Sequence, residues 1–242
     1  MRIGFIDSGI GGLTTMRECV KTLGGGEFVY LADELNAPYG TKKEGELLQI
    51  GIKNVEFLKR LGASVIVLAC NTLTSTTANK LRSIYEEITF VGVEPAILPA
   101  VKENLKVALL CTPLTAGSSR VKELLSLSRG KVSVYPISSL AGIIENTVLD
   151  YVVLEKYVKN NLKYLSDFDA VVLGCTHYVY LAPYIKKIYP NLKIYDGNLG
   201  VATRLKSIVG EQKSPLKYLF FDSNGKQSEK CRKIFVNFSK KF

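Results

Sequence analysis

Two cysteine segments of this 242-residue chain combine residue types that can move a proton. VIVLACNT contains Cys70 and AVVLGCTH contains Cys175, each after an apolar run and a small residue and before hydroxyl or amide side chains. A small residue lets a ligand approach the backbone closely. A cysteine at a strand end, near the N–H groups that start a helix, can have a lowered pKa and supply thiolate near neutral pH. The pair therefore indicates acid–base or nucleophilic chemistry.

The other cysteines do not share this pattern. Cysteine often serves as a small buried hydrophobe, and we interpret Cys19, Cys111 and Cys231 in that way. The chain has five cysteines, no CxxC pair and a single histidine, which argues against both a disulfide framework and a zinc site. We therefore expect free thiols, no metal and an intracellular setting.

Three further segments carry polar groups that could serve a site. His177, two residues after Cys175, could stabilise a thiolate or transfer a proton. DSGIGG at residues 7–12 follows an apolar strand but matches neither the GxGxxG nor the Walker pattern, so a nucleotide site is poorly supported. Its glycines fit a tight turn into a helix, with Asp7 and Ser8 placed where a ligand would lie. APYG at 37–40 is by composition a turn.

These residues require strands and helices to position them, and the hydropathy pattern predicts both. Short apolar runs alternate with segments of helical period, which is typical of an α/β fold with largely parallel sheets flanked by helices. We predict strands at Ile3–Ile6, Phe28–Leu31, Val65–Leu68, Phe90–Val93, Val107–Leu110, Val132–Tyr135, Val171–Leu173 and Lys193–Tyr195. Predicted helices include Lys43–Leu61, Asn79–Glu87, Ser118–Leu127, Leu154–Leu165 and Val201–Ile208.

The two halves of the chain repeat one arrangement. IGFID and VALLC are separated by 104 residues, and Cys70 and Cys175 by 105. Two matches at nearly one spacing indicate a duplicated architecture, so we predict two similar α/β lobes facing each other. We expect residues 1–94 plus 205–242 in the first lobe and 95–204 in the second, with the switch near Val93–Val101. Ligands bind at the carboxyl ends of strands in such sheets, so the active site should lie between the lobes.

The composition narrows the class of protein. The formal net charge is +10, but the lysines are spread over helical segments, apart from a basic cluster in the last seventeen residues, and no aromatic-interleaved basic motif is present. We therefore interpret the excess as a solvated basic surface rather than a nucleic-acid site. No apolar run approaches the roughly 20 residues that span a bilayer, and Asp7 interrupts the first one. We expect a soluble, cytoplasmic protein without a membrane partner.

Five segments together resemble the glutamate racemase family of bacterial cell-wall synthesis. They are FIDSGIGGL (5–13), YLADELNAPYG (30–40), LACNT (68–72), CTPLTAGS (111–118) and LGCTHY (173–178), in the family's order over nearly the whole chain. The resemblance implies two lobes related by pseudo-twofold symmetry and no pyridoxal phosphate, metal or other cofactor. It also implies racemisation of L- and D-glutamate by two cysteines, supply of D-glutamate for peptidoglycan, and a homodimer.

By the same resemblance, Cys70 matches the cysteine that deprotonates D-glutamate, and Cys175 the one that acts on L-glutamate. Asp7 matches the residue that assists Cys70, and His177 the residue that assists Cys175. The implied substrate contacts are Asp7, Ser8, Tyr39, Gly40, Asn71, Thr72, Thr115, Glu145, Thr176 and His177. Hydroxyl groups and helix-start N–H groups can hold two carboxylates without a buried arginine.

The chain departs from the family pattern at four positions. Asn36 stands where arginine is common, Leu73 where a smaller residue follows ACNT, Cys111 where glycine is usual and Val179 where proline follows GCTHY. None is a matched catalytic position, but pocket size, regulation and turnover depend on such neighbours.

Other functions remain open from the residues alone. Aspartate racemases share the paired cysteines but typically carry an acidic residue in place of His177 and lack PYG. A thiol hydrolase would use a Cys175–His177 dyad, and Cys70→Ser would then spare its activity. A binding module would hold a ligand without exchanging its α-proton, and some racemases also bind DNA gyrase.

Overall fold

The computed structural model describes residues 1–241 and contains two parallel β-sheets flanked by helices. Its strands are β1 (Arg2–Asp7), β2 (Glu27–Ala32), β3 (Ala63–Leu68), β4 (Thr89–Gly92), β5 (Val107–Cys111), β6 (Val132–Pro136), β7 (Ala170–Gly174), β8 (Lys193–Asp196) and β9 (Lys217–Asp222). Its helices are α1 (Leu13–Leu23), α2 (Glu44–Arg60), α3 (Asn71–Ile84), α4 (Ile97–Lys102), α5 (Pro113–Gly117), α6 (Ser119–Leu127), α7 (Leu140–Thr147), α8 (Tyr151–Asn161), α9 (Ala182–Ile188), α10 (Asn198–Val209) and α11 (Glu229–Lys241).

The sheets place the predicted site residues at matching edges. The first sheet has the order β4-β3-β1-β2-β9 and the second β6-β5-β7-β8. Every strand pairing within them is parallel. Asp7 ends β1, Cys70 follows β3, and Cys175 follows β7. Each sheet therefore presents one of the two cysteines just beyond the carboxyl end of an interior strand, where open α/β sheets bind ligands.

The prediction of an α/β fold with two parallel sheets is confirmed, and all eight predicted strands are present. The ninth strand, β9, was not predicted. It pairs with β2 at the edge of the first sheet, and its burial is mostly partial. The alternation that marks a buried strand is therefore weak in KYLFFD, the sequence of β9.

Two helices differ from their predicted bounds by four residues or more at one end. The predicted helix at 79–87 begins instead at Asn71, directly after Cys70. The predicted helix Leu154–Leu165 is α8, which ends at Asn161 and is followed by a separate 3-10 turn at Lys163–Asp167.

The hydrophobic core is continuous between the two sheets. Helices α1 and α10 pack against each other, and one buried cluster includes Met16 of α1, Leu205 of α10 and Leu173 of β7. Side chains also join these helices, since Thr15 Oγ1 donates to Asn198 Oδ1 over 2.6 Å. The division into residues 1–94 plus 205–242 and 95–204 remains a prediction. Within residues 1–241, no helix is both long and apolar enough to cross a bilayer.

Candidate active site

Asp7 joins the carboxyl ends of the two sheets. Its side chain is fully buried, Oδ1 accepts from the Gly9 N–H over 3.0 Å, and Oδ2 accepts from Thr176 Oγ1 over 3.0 Å. Burial raises the pKa of Asp7 from 3.8 to about 6, although the positive charge of His177 and the Gly9 and Thr176 hydrogen bonds act in the opposite direction. A buried carboxyl group that titrates near neutral pH can exchange a proton with a neighbouring thiol.

Cys70 is the N-cap residue of α3 and is 6% exposed. Burial raises the pKa of its thiol well above the ordinary range, and the negative charge of Asp7 raises it further. The backbone N–H groups of Leu73 and Thr72, at the start of α3, lower it only in part. Cys70 is therefore a thiol at neutral pH, which suits a proton donor.

Cys175 has a different polar environment, made by His177 and Glu145. The 3-10 turn Thr176–Leu181 follows Cys175 and places His177 so that Nε2–H donates to Glu145 Oε2 over 2.8 Å. Burial lowers the pKa of His177, but hydrogen bonding to Cys175 and Glu145 outweighs it, and the net pKa lies well above 6.5. Burial raises the pKa of Glu145, but hydrogen bonds from His177, the Ile10 N–H and Lys230 bring it down to about 2. Cys175 thus lies beside an imidazolium that is paired with a carboxylate.

The DSGIGG loop fits tightly between these groups. A Cβ atom on Gly9 would lie 2.2 Å from Glu145 Oε2, and one on Gly11 would lie 2.5 Å from His177 Nδ1. The hydroxyl groups of Tyr30 and Tyr180 hold the loop by donating to the carbonyl oxygens of Gly9 and Ile10. The loop therefore needs glycine because the Cys175 side of the site lies against its backbone.

Three threonines connect the Cys70 side of the site to the second sheet. The Oγ1 atom of Thr72 lies 3.0 Å from those of Thr112 and Thr115, and Thr112 Oγ1 donates to Thr115 Oγ1 over 2.9 Å. The predicted turn also joins here, because a Cβ atom on Gly40 would lie 2.8 Å from Thr112 Cβ. The cluster brings hydroxyl groups of both halves of the chain to one place.

A buried polar network holds Tyr39 beside this cluster. Its hydroxyl donates to Asp33 Oδ2 over 2.6 Å, and Asn54 Nδ2 donates to both Asp33 Oδ2 and Tyr39 Oη over 3.0 Å. Asn36 donates to both carboxylate oxygens of Asp33. The side chain of Tyr39 therefore anchors the turn, which leaves the backbone of Tyr39 and Gly40 to face the site.

Asn71 carries a donor without a partner among the described residues. It is 3% exposed, and its Nδ2 has no hydrogen-bond partner there. An unsatisfied buried donor is costly, and native structures retain few of them. Its position between Cys70 and Thr72, at the start of α3, is where an anionic ligand would accept from it.

Most predicted site residues lie at these strand ends, whereas Thr115 lies on α5, Glu145 on α7 and Tyr39–Gly40 in the turn Tyr39–Thr41. The prediction missed several neighbours. Ser8 follows Asp7 in the sequence and is 8% exposed, whereas Thr176, which is 2% exposed, donates to the Asp7 carboxylate from the second half of the chain. The missed residues are Thr112, Asp33, Asn54 and Lys230. Thr112 had a signal, because it is separated from Ser8 by the same 104 residues as the repeated strands.

The four departures from the family pattern have different surroundings. Leu73 and Cys111 are fully buried in apolar clusters, and Asn36 bonds to Asp33. Val179 lines a separate cavity of about 340 Å³ next to α1 and α10. Among the described residues, no group of three or more His, Cys, Asp or Glu side chains could hold a metal ion.

Comparison with known proteins identifies the family. No protein-family model matches the chain. A glutamate racemase of Halothermothrix orenii is 37% identical, with 99% of each chain covered. One of Leptospira interrogans is 39% identical, covering 100% of this chain and 93% of that protein. A solved glutamate racemase structure from Francisella tularensis in complex with D-glutamate matches with a TM-score of 0.78 at 26% identity, covering 99% and 93% of the two chains. The chain belongs to the glutamate racemase family.

Proposed function

We propose that this chain interconverts L- and D-glutamate with Cys70 and Cys175 as the two acid–base groups and without a cofactor. The relatives named above support the substrate and the reaction. The observation that carries the mechanism is the placement of two buried cysteines after equivalent strands of two sheets whose ends are joined by the Asp7–Thr176 hydrogen bond. A pair of thiols on opposite sides of a bound amino acid can remove and return a proton on opposite faces.

With L-glutamate, the Cys175 thiolate removes the α-proton and the electron pair stays on the α-carbon and its carboxylate. The Cys70 thiol then delivers its own proton to the opposite face, which yields D-glutamate, a Cys175 thiol and a Cys70 thiolate. With D-glutamate, the two cysteines exchange these roles. Because the α-proton is far less acidic than a thiol, the site must stabilise the developing negative charge and exclude water.

Before substrate binds, the protonation states of His177 and Cys70 are those required for the conversion of L-glutamate to D-glutamate. The raised pKa of His177 keeps an imidazolium beside Cys175, and the raised pKa of Cys70 keeps that thiol protonated. Asp7, with a pKa of about 6, is the group that could accept the Cys70 proton in the reverse direction. This assignment gives Asp7 and His177 the assisting roles that the sequence resemblance implies.

The substrate carboxylates have donors on both sides of the site. The unpartnered Asn71 amide and the first N–H groups of α3 can bind one carboxylate. The hydroxyl groups of Ser8, Thr72 and Thr176 and the backbone at Tyr39–Gly40 supply further donors. Thr115 and Glu145 contribute by orienting Thr72 and His177.

The same proposal includes the cellular role. D-Glutamate made in the cytoplasm would be used for peptidoglycan synthesis, and the enzyme would act as a homodimer. These statements follow the family resemblance of the sequence.

The test is incubation of the protein with D-glutamate in heavy water without added cofactor, following optical rotation and α-deuterium incorporation. Racemisation with solvent deuterium, abolished by either Cys70→Ser or Cys175→Ser, is the expected result. Retained activity in Cys70→Ser would contradict the two-cysteine mechanism and favour a Cys175–His177 enzyme. Exchange of aspartate but not glutamate would make the chain an aspartate racemase, and exchange of neither would overturn the proposal.

A further inference from the structure

Lys230, in the first turn of α11, contacts two carboxylates from distant parts of the chain. Its Nζ donates to Glu145 Oε1 over 2.7 Å and to Glu34 Oε1 over 3.0 Å. Glu145 lies on α7, which follows β6 of the second sheet, whereas Glu34 lies in the 3-10 turn Glu34–Asn36, which follows β2 of the first sheet. A single ammonium group therefore bridges elements associated with the two sheets.

Helix α11, which carries Lys230, is packed against the protein, so the backbone of Lys230 is held in place. The neighbouring Cys231 is fully buried, and the Phe235 ring lies 5.4 Å from the Phe220 ring of β9, centroid to centroid. The start of α11 is also tied down, because the Ser228 N–H donates to the Phe220 carbonyl oxygen over 2.8 Å. Packing against β9 of the first sheet thus fixes the backbone at Lys230.

Glu145 connects Lys230 to His177, because each of its carboxylate oxygens accepts from one of them. While Oε1 accepts from Lys230, Oε2 accepts from His177 Nε2 over 2.8 Å and from the Ile10 N–H over 2.9 Å. His177 in turn lies two residues after Cys175, which directly follows β7, and the Cys175 side chain helps to raise its pKa. The orientation of the Glu145 carboxylate is therefore fixed by Lys230 at Oε1 and by His177 and the Ile10 N–H at Oε2.

We propose that Lys230 is a positioning residue for the Cys175 half of the reaction, because it holds Glu145 in the orientation that pairs with His177. This inference rests on the two-cysteine function proposed above. The Lys230–Glu145 pair differs from an ordinary surface ion pair because Glu145 is largely shielded from solvent. Lys230 is 44% exposed, but the Glu145 side chain is only 17% exposed and His177 6%. Solvent screens the lysine more than it screens the contact that the lysine supports.

The test compares Lys230→Met with wild type, using glutamate deuterated at the α-carbon. L- and D-glutamate have equal free energies, so kcat/KM must fall equally in both directions, and we expect a fall of about tenfold. The kinetic isotope effects should separate. Slower transfer at Cys175 makes removal of deuterium from L-glutamate more rate-limiting, so the isotope effect with labelled L-glutamate should rise and that with labelled D-glutamate should fall.

A second measurement does not depend on turnover. His177 is the only histidine of the chain, so its imidazole gives a single, unambiguous set of NMR signals. In Lys230→Met, the Nε2 proton should move upfield, as expected for a longer hydrogen bond to Glu145. If wild type fails to racemise glutamate while this shift is still seen, the function proposed above fails and the positioning contact stands.

Two variants serve as controls. Lys230→Arg keeps the positive charge and should retain kcat/KM within about threefold of wild type. Lys187→Met removes an exposed lysine that pairs with Glu155 over 2.8 Å elsewhere on the second half of the chain, and it should leave both rates and the His177 signals unchanged. The inference is overturned if Lys230→Met keeps the wild-type rate and His177 spectrum. It is also overturned if both isotope effects stay equal to wild type while the rate falls, or if Lys230→Arg is no better than Lys230→Met.

Discussion

The buried Asp7 and the half-buried Glu145 are carboxyl groups of one site, and their pKa values are shifted in opposite directions. Burial raises the pKa of Asp7 to about 6. Burial acts on Glu145 in the same direction, but its hydrogen bonds to His177, the Ile10 N–H and Lys230 bring its pKa down to about 2. In many enzymes, two carboxyl groups whose pKa values differ in this way take different roles. Here Glu145 is a permanent anion for His177, whereas Asp7 can gain or lose a proton near neutral pH.

The raised pKa of Asp7 predicts a stability that depends on pH. The pKa of Asp7 is higher in the folded protein than its ordinary value of 3.8. The contribution of protonated Asp7 to the free energy of unfolding is therefore fully present below about pH 3.8 and is lost as the pH rises through about 6. A shift of this size corresponds to about 3 kcal/mol. Urea unfolding from about pH 4.5 to pH 7 should show wild type losing free energy of unfolding relative to Asp7→Asn. Parallel curves for the two proteins would contradict the assignment.

Asn71 and Asn54 are two buried asparagines that should respond oppositely to replacement by alanine. Asn71 Nδ2 has no partner among the described residues, so Asn71→Ala removes an unsatisfied donor and should leave the melting temperature unchanged or raised. It should raise KM for glutamate about 10- to 100-fold, the range for a lost hydrogen bond to a charged group.

Asn54 donates to Asp33 and Tyr39, so Asn54→Ala should destabilise the protein by about 1–3 kcal/mol. Thermal unfolding and steady-state kinetics on both variants check the pair. A large loss of stability in Asn71→Ala, with KM unchanged, would mean that its amide has a structural role.

At the scale of the element, the loop before α1 fixes the distance between the two halves of the site. A Cβ atom on Gly11 would lie 2.5 Å from His177 Nδ1 and 2.6 Å from Thr176 Oγ1, so Gly11→Ala must displace one of them. Displacement of a catalytic group by about 1 Å can cost about a hundredfold, which is the loss of kcat/KM that we expect.

Gly142 provides the matched control. It lies on α7, the helix that carries Glu145, and a Cβ atom there would meet no atom within 4 Å. Gly142→Ala should keep full activity and stabilise the helix by about 0.5–1 kcal/mol. Equal kinetics for the two alanine variants would show that the loop does not hold His177.

Helix α3 shows why element bounds are hard to predict around this site. Its first turns contain Thr72, Thr74, Ser75, Thr76 and Thr77, which favour turns and caps in isolation. In the fold, Thr76 and Thr77 donate to the carbonyl oxygens of the residues four positions earlier, over 2.8 and 2.7 Å. The hydroxyl groups of Thr76 and Thr77 are therefore satisfied within the helix, which begins at Asn71, directly after Cys70, and brings its N–H groups to the site.

The positions of eight strands and the paired cysteines could be predicted because both depend on local patterns and on the repeat. The contacts of Lys230 could not, since Glu34 and Glu145 are 196 and 85 residues away from it in sequence. The strand that anchors α11, β9, is an edge strand with a weak hydropathy signal. Where a group acts through a distant partner, a single sequence carries no periodicity that reveals it.

The site is assembled from two halves of the chain that are joined there by polar bonds. Asp7 bonds to Thr176, Glu145 to the Ile10 N–H, and Thr72 to Thr115. A ligand that reaches donors on both halves adds to these bonds only in the folded protein. Its binding energy should therefore appear as global stability rather than as a local change.

This linkage predicts a substrate-dependent melting temperature that also reports specificity. At about one hundred times its Kd, a ligand adds about 2.7 kcal/mol, and D-glutamate should then raise the midpoint by about 5–11 °C, since 1 kcal/mol corresponds to about 2–4 °C for a chain of this size. D-Aspartate is one methylene shorter, so it should leave part of the donor set unsatisfied and shift the midpoint less at equal concentration. The Cys70→Ser/Cys175→Ser double variant should retain the glutamate shift, because the carboxylate donors remain while turnover is removed. An equal or larger shift with D-aspartate would contradict glutamate as the preferred substrate.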